Sequence, residues 1–359
     1  MNSVKYVGMD VDQATVVVVI EDSKGKFLME AFVPCSSGDI REFFKTIKGT
    51  IHVAFEEGAQ AAWLYDLIQP LVAKVVVCDP RQNKLIQSGK KSDRIDAGKL
   101  AKLLRLGELH EVYHGERTTR GLKELVRAYE CLVEDTARTK NRLKGAFRGR
   151  GIRCRGKNVY HQAERKEWMG KVDIAAMGLR VMGLYEQLDF LSKLREEAKK
   201  AMLAEARKHS ANKLLITVAG LGPVRSAQII ATVGTPHRFR TKRQFWPYCG
   251  LGVVSEASGE YEIVENKPRR RKKPAQTRGL NKNFNRRLKA VFKGAAKSAI
   301  VGEPFKQYHQ RLVDNKIREE LALLTVARKI AAITLAVWKK GEKFDSDRVN
   351  QAAQGTGNE

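Results

Sequence analysis

Apolar positions along the first eighty residues fall into short runs rather than long stripes. Residues 5–10 (Lys-Tyr-Val-Gly-Met-Asp), the β-branched run 14–20 and residues 26–33 each read as a strand, with Asp22-Ser-Lys-Gly25 as a turn between the last two. Short strands joined by tight turns predict an antiparallel meander. A helix at 37–47, a strand at 52–55, a helix at 59–71 and an apolar strand at 75–77 follow, ending at Cys78-Asp79-Pro80. This order predicts a mixed sheet with helices on its faces, and a further helix is expected over 95–106.

Beyond this point the period changes. Leu122, Val126, Tyr129, Val133, Thr136 and Leu143 lie on one helical seam broken only by Lys140. Met177, Val181, Leu184, Leu188, Leu191, Ala198 and Met202 lie on another, broken by Arg195. Such stripes predict long coiled-coil helices that close either as an intrachain hairpin or between protomers. From 213 the pattern stays helical, through Thr217-Val-Ala-Gly-Leu-Gly-Pro223 to an amphipathic helix at 317–340. Gly220-x-Gly222 reads as a helix-hairpin-helix turn that offers backbone N–H groups to phosphate, or as a tight interhelical turn. Phe245 and Trp246 read as core. The expected division is 1–112, 113–212 and 213–345, followed by a disordered tail at 346–359. The fold class is α/β plus all-α.

Charge sharpens this picture. Among 359 residues, 67 Lys and Arg against 40 Asp and Glu leave a net +27. A hydrophobic share of 43% argues against wholesale disorder, so the excess points to a polyanion, nucleic acid before a membrane surface. The longest nearly apolar run, 330–338, is short of the ~20 residues of a spanning helix. Neither a membrane association nor an export signal is expected, and the five scattered cysteines suit a reducing cytoplasm. The cations are concentrated: residues 136–163 hold nine Lys/Arg and no acid, among glycines that predict a mobile basic hinge. Residues 266–302 hold thirteen and no acid. Arg138, Lys140, Arg142, Lys144, Arg148, Arg150, Arg153 and Arg155 are the nucleic-acid candidates in the first tract. Lys267, Arg269, Arg270, Arg271, Lys272, Lys273, Arg278, Lys282, Arg286 and Arg287 are those in the second.

Candidate chemistry lies in acids at strand ends. Asp10 ends the first predicted strand and Glu56 the fourth; if those strands are neighbours, both carboxylates leave the same sheet edge. Asp93 and Asp96, three apart, share one face of the opening turn of the next helix. Four such acids suit one or two magnesium or manganese ions, which favour oxygen ligands and serve phosphoryl transfer. The bland alternative makes Asp93 an N-cap with Asp96 complementing the helix dipole, and Asp12 or Glu57 can replace its neighbour.

Tyr6-Val-Gly-Met-Asp10-Val-Asp, Phe55-Glu-Glu-Gly58 with Leu64-Tyr-Asp-Leu67, and Lys91-Ser-Asp-Arg-Ile-Asp96-Ala resemble the N-terminal half of the DEDD insertion-sequence transposases, which include the pilin-gene invertases. Val218-Ala-Gly-Leu-Gly-Pro223, Gln244-Phe-Trp-Pro-Tyr-Cys-Gly-Leu251, Ala257-Ser-Gly259 and Thr277-Arg-Gly-Leu-Asn281 resemble the family's second domain, in order. The resemblance implies an RNase H-like domain similar to RuvC-type Holliday-junction resolvases, with Asp10, Glu56, Asp93 and Asp96 as metal ligands. It implies Ser258 as nucleophile, with Ser255 the competing assignment; alone, a Ser-Gly pair reads as a turn. It further implies donor and target DNA, a structured noncoding guide RNA and a homo-oligomer, dimer or tetramer, as partners. The chain departs from the family at Glu57, at Gly250-Leu-Gly-Val-Val254 and in a longer, more basic stretch over 265–276. Two other functions fit the same residues: a junction-resolving endonuclease that uses water, and a non-catalytic nucleic-acid-binding protein.

Overall fold

A computed structural model describes residues 3–80, 92–114, 119–256, 261–264, 267–270, 276–346 and 349. The chain forms two compact units, Met1–Gly115 and Glu116–Glu359.

In the first unit β1 (Val4–Val11), β2 (Thr15–Asp22) and β3 (Phe27–Pro34) form the meander. The Asp22 carboxylate accepts from the backbone N–H groups of Lys24 and Lys26 and closes the second turn. Helix α1 (Ser37–Thr46), β4 (Thr50–Glu56), α2 (Ala61–Ile68), β5 (Lys74–Cys78) and α3 (Asp93–Leu106) follow. The sheet order is β3-β2-β1-β4-β5; β1 runs antiparallel to β2 and parallel to β4, and β4 parallel to β5. This is the mixed sheet of an RNase H-like, RuvC-like domain.

Strand alternation divides its side chains between two faces. Val7, Met9, Val53, Phe55, Val75 and Val77 pack with Ile40 and Phe44 of α1 and Leu64 and Ile68 of α2. The opposite face, with Ala54, Val76 and Cys78, lies under Leu100, Leu103 and Leu104 of α3. A Cβ on Gly8 would collide with the backbone carbonyl of Ala97 and stand 2.5 Å from Ala101 N. The missing side chain therefore lets α3 press onto β1 two residues before Asp10.

The second unit contains α4 (Arg120–Arg148), α5 (Arg165–Gly170), α6 (Ala175–Arg207), α7 (Ser210–Leu215), α8 (Gly222–Val233) and α9 (Lys242–Tyr248). Short strands β6 (Val253–Glu256), β7 (Tyr261–Val264), β8 (Lys267–Arg270) and β9 (Gln276–Leu280) precede α10 (Arg286–Ala299), α11 (Phe305–Asp314) and α12 (Glu319–Lys340). Helices α4 and α6 pack together as an antiparallel hairpin within the chain. Leu122 and Val126 at the start of α4 share a core with Met202 and Ala206 at the end of α6, and Leu143 and Phe147 share another with Val181 and Tyr185. The first of these cores continues through α7 to α10 into α12, where Val326, Ile330 and Leu335 are buried. By length and hydropathy alone α12 could cross a membrane; here it is a core helix of its unit. Phe245 is buried, and half-buried Trp246 donates to Arg328 O.

Two expectations for this region need correction. The basic segment over 136–163 is no loose hinge: α4 continues to Arg148, and the following turns fold over Cys154, Val159 and Trp168 into a small core. Arg165 grips Asp189 with two hydrogen bonds and stacks on Tyr185. The second correction is that the basic tract begins as paired strands. β6 pairs with β9 and β7 with β8, all antiparallel. Gly220, at φ +83°, is held against Ala295 and Ala299 of α10, which makes the Gly220-x-Gly222 loop a tight interhelical turn. The expected tail at 346–359 lies almost wholly outside the described residues.

Candidate functional site

Register alone assembles one line across the sheet. Phe32 stands opposite Val17, and Val17 opposite Asp10. On the other side Met9 is in register with Phe55, so Asp10 and Glu56 follow as neighbours, and Glu56 pairs with Cys78. Phe32, Val17, Asp10, Glu56 and Cys78 thus form a row on the α3 face, with Asp10 and Glu56 about 4.8 Å apart along the hydrogen-bonding direction.

The N-terminus of α3 contributes the other two acids. Ser92 is the N-cap, its hydroxyl accepting from Ile95 N at 3.3 Å, so the cap expected of Asp93 belongs to its neighbour. Asp93 and Asp96 lie in the first helical turn. Partial burial, then the charges of Asp93 and Asp96, push the Asp10 carboxyl above its ordinary range, against the hydrogen bond from Val11 N–H. These acids are therefore within electrostatic reach of Asp10. Lys99 offsets part of the charge, its ammonium 3.1 Å from Asp96 Oδ1. Among the described residues, no three Asp, Glu, His or Cys side chains converge closely enough to hold a metal as they stand. In kind, carboxylate oxygens suit a hard divalent cation.

Glu57 points elsewhere. Its carboxylate lies 2.6 Å from His114 Nε2, and His114 stacks on Tyr65, beside the α2 face. Burial, then the charges of Glu56 and Asp79, push the Cys78 thiol up to about 12, so it is no nucleophile at neutral pH. Beside Glu56 opens a cleft of about 440 Å³, bounded by Asp12, Gln13, Phe55, Gly58, Gln60 and Leu64, among others.

The basic candidates separate by environment. Arg138 is paired with Glu134 and Asp135. Lys140 and Lys144 both lie over the Tyr160 ring, at 5.1 and 5.2 Å from its centroid, and Lys144 donates to Gly156 O. Arg142, Arg148, Arg150, Arg153 and Arg155 are exposed, as are Lys267, Arg269, Lys282 and Arg286. Arg287 Nε stands 3.0 Å from Glu130 Oε2. Ser258, Arg271, Lys272 and Lys273 lie outside the described residues, as do the side chains of Ser255, Arg270 and Arg278. Sequence reasoning passed over Lys99, whose i+3 spacing from Asp96 was the available signal, and Tyr160, which had none.

A family model described as "Transposase", of the IS110-type DEDD class, matches residues 7–150. A second, described as "Transposase IS116/IS110/IS902 family", matches residues 212–310. The chain is 27% identical over 271 residues to "Putative transposase y4qE" of Sinorhizobium fredii, an alignment covering 71% of this chain and 65% of that protein. It is 30% identical over 90 residues to "Mini-circle putative transposase for IS117" of Streptomyces coelicolor, covering 25% of this chain and 22% of that one. The chain thus spans less than two thirds of the length of either relative. With an RNase H-like sheet that carries its acids on one face, and two family models matched in order along its length, the chain belongs to the IS110-type DEDD transposase family.

Proposed function

We propose that the protein is a DNA recombinase of an insertion sequence, cutting and exchanging strands through a covalent phosphoserine link. The observation that carries this reading is the adjacency of Asp10 and Glu56 on one sheet face, with burial and then the charges of Asp93 and Asp96 raising the proton affinity of Asp10. Asp10, Glu56, Asp93 and Asp96 hold magnesium or manganese, which when bound polarises the scissile phosphate and offsets charge on the leaving oxygen. The Ser258 assignment rests on the family resemblance. Its hydroxyl attacks phosphorus and loses its proton to solvent or a carboxylate. The Oγ–P bond forms as the P–O3′ bond breaks, and the departing oxygen takes up a proton to become a 3′-hydroxyl. The phosphodiester energy stays in the serine ester, so rejoining to a new end needs no ATP.

Exposed cations at the tip of the α4/α6 hairpin and on β8 and α10 support contact with donor and target DNA and a structured guide RNA. Phosphate contacts position a polyanion without reading its sequence, which leaves that task to base pairing. Leu179, Met182 and Phe190 of α6 are 76%, 50% and 62% exposed, which supports a dimer or tetramer.

The test is incubation of the protein, purified with its bound RNA, with DNA spanning the element ends and Mg²⁺. A protein–DNA adduct that is lost in Ser258→Ala and in Asp10→Asn is expected. An adduct that survives Ser258→Ala refutes the nucleophile. Nicked, 5′-phosphorylated products never joined to protein mean that water attacks, as in a junction resolvase.

A further inference from the structure

The cleft beside Glu56 contrasts with the rest of the molecule. In a protein of net charge +27, no Lys or Arg among the described residues lines it. Among the described residues the charged ones that line it are both acidic, Asp12 and Glu56. Val11 and Ala59, which keep accessible surface, give it an apolar side, over a floor formed by the buried Phe55, Ala61 and Leu64. Gln13 and Gln60 supply carboxamides, and Gln60 Oε1 faces Cys35 Sγ at 3.5 Å, a contact that fixes one end of its amide. At about 440 Å³ the space falls within the roughly 300–1,000 Å³ typical of single small ligands. A flat, uncharged ring with hydrogen-bonding edges satisfies all of these features. An acceptor carboxylate at Asp12 favours a ring that bears an exocyclic amine, as cytosine, adenine and guanine do and thymine does not.

We propose that this cleft receives one unstacked, amine-bearing nucleobase next to the phosphate that is cut. The proposal rests on the strand-cleavage reading above and adds a base preference at that nucleotide. Unstacking one base carries the backbone away from duplex geometry and brings its phosphate toward Asp10 and Glu56.

Gly58 makes the proposal testable. A Cβ added there meets no protein atom within 4 Å, and its φ is outside the left-handed region, so a side chain can be placed on the cleft wall without backbone strain. DNA carrying 2-aminopurine, itself a base with an exocyclic amine, at each nucleotide in turn around the mapped cleavage point is bound to the full-length protein with its RNA in metal-free buffer. A fluorescence rise at one position is expected, absent in Gly58→Leu and reduced in Gln60→Ala. With Mg²⁺, Gly58→Leu is expected to cut ordinary DNA at least about tenfold more slowly. On DNA that is abasic at the same nucleotide it should match the wild type, since no base then has to enter. A signal unchanged by Gly58→Leu, or a defect that persists on abasic DNA, overturns the proposal. Wild-type cleavage with no position-specific signal overturns it alone, whereas the signal without any wild-type cleavage keeps the pocket and sinks the recombinase reading.

Discussion

Gly8 of β1 touches the backbone of α3 at Ala97 and Ala101, with no room for one methyl group between them. This contact sets how closely the helix that bears Asp93 and Asp96 approaches the strand that bears Asp10. Gly8→Ala is expected to cost about 1–3 kcal/mol through overpacking. A thermal or denaturant melt reads that loss. Strand cleavage should fall further than the stability loss explains, because α3 moves off the sheet with two of the four acids; cleavage reduced no more than the folded fraction would contradict this.

Asp10 gives a pH signature. Its folded-state proton affinity is raised by burial and by Asp93 and Asp96, so the metal-free protein loses stability as pH rises from the ordinary aspartate value of 3.8 through the raised one. Asp10→Asn is therefore expected to melt above the wild type at neutral pH in EDTA. The gap should close at pH well below 3.8, where the wild-type carboxyl is protonated in both states. Mg²⁺ should raise the melting temperature of the wild type and leave that of Asp10→Asn unchanged. A variant less stable than wild type in neutral EDTA would mean that repulsion around Asp10 is not what the fold carries.

Glu56 and Glu57 should part in function. Glu56→Gln is expected to lower the cleavage rate by more than the ~10–100-fold typical of groups that only orient a metal ligand. Glu57→Gln keeps a hydrogen-bonding partner for His114 and should leave the rate within a few-fold of wild type. Mg²⁺ titrations of single-turnover cleavage compare the two, and the reverse order would move the ligand assignment to Glu57.

Arg286 and Arg287 are adjacent in sequence and different in task. Arg287→Ala leaves the largely buried Glu130 without its cation and is expected to cost about 1 kcal/mol, an amount already reduced for the half-exposed arginine. Arg286→Ala should be neutral for stability and reduce the salt dependence of nucleic-acid binding by about one unit of slope. Melts and binding isotherms across a salt series separate them; equal salt effects would place both side chains on the polyanion.

Much of the first unit is legible in the sequence because its signals are local. Short apolar and β-branched runs along 5–10, 14–20 and 52–55 mark the strands, and acids at the ends of two of them give the sheet edge a chemical character. The row from Phe32 to Cys78 is not legible, since it depends on which strands are neighbours. Ser92 as N-cap was overlooked because the acids beside it compete for that role. Strands β7 and β8 escaped for another reason: Lys-Pro-Arg-Arg has neither alternation nor β-branched residues, and becomes a strand only by pairing with Tyr-Glu-Ile-Val. At the hairpin tip, Cys154, Val159 and Trp168 are isolated apolar residues in a basic run, and their meaning appears only when the chain folds back over Phe147 and Tyr185.

The two cores of the α4/α6 hairpin share no buried residue, one lying at Leu122 and Met202 and the other at Phe147 and Val181. Helix α4, with 29 residues, is about 43 Å long, so a pivot of about 5° at its root carries the tip sideways by about 4 Å. The hairpin is thus a lever. A small rearrangement among the C-terminal helices becomes, at Lys140, Lys144 and Arg148, a displacement of about 3–4 Å, comparable to the length of one hydrogen bond and enough to make or break a phosphate contact.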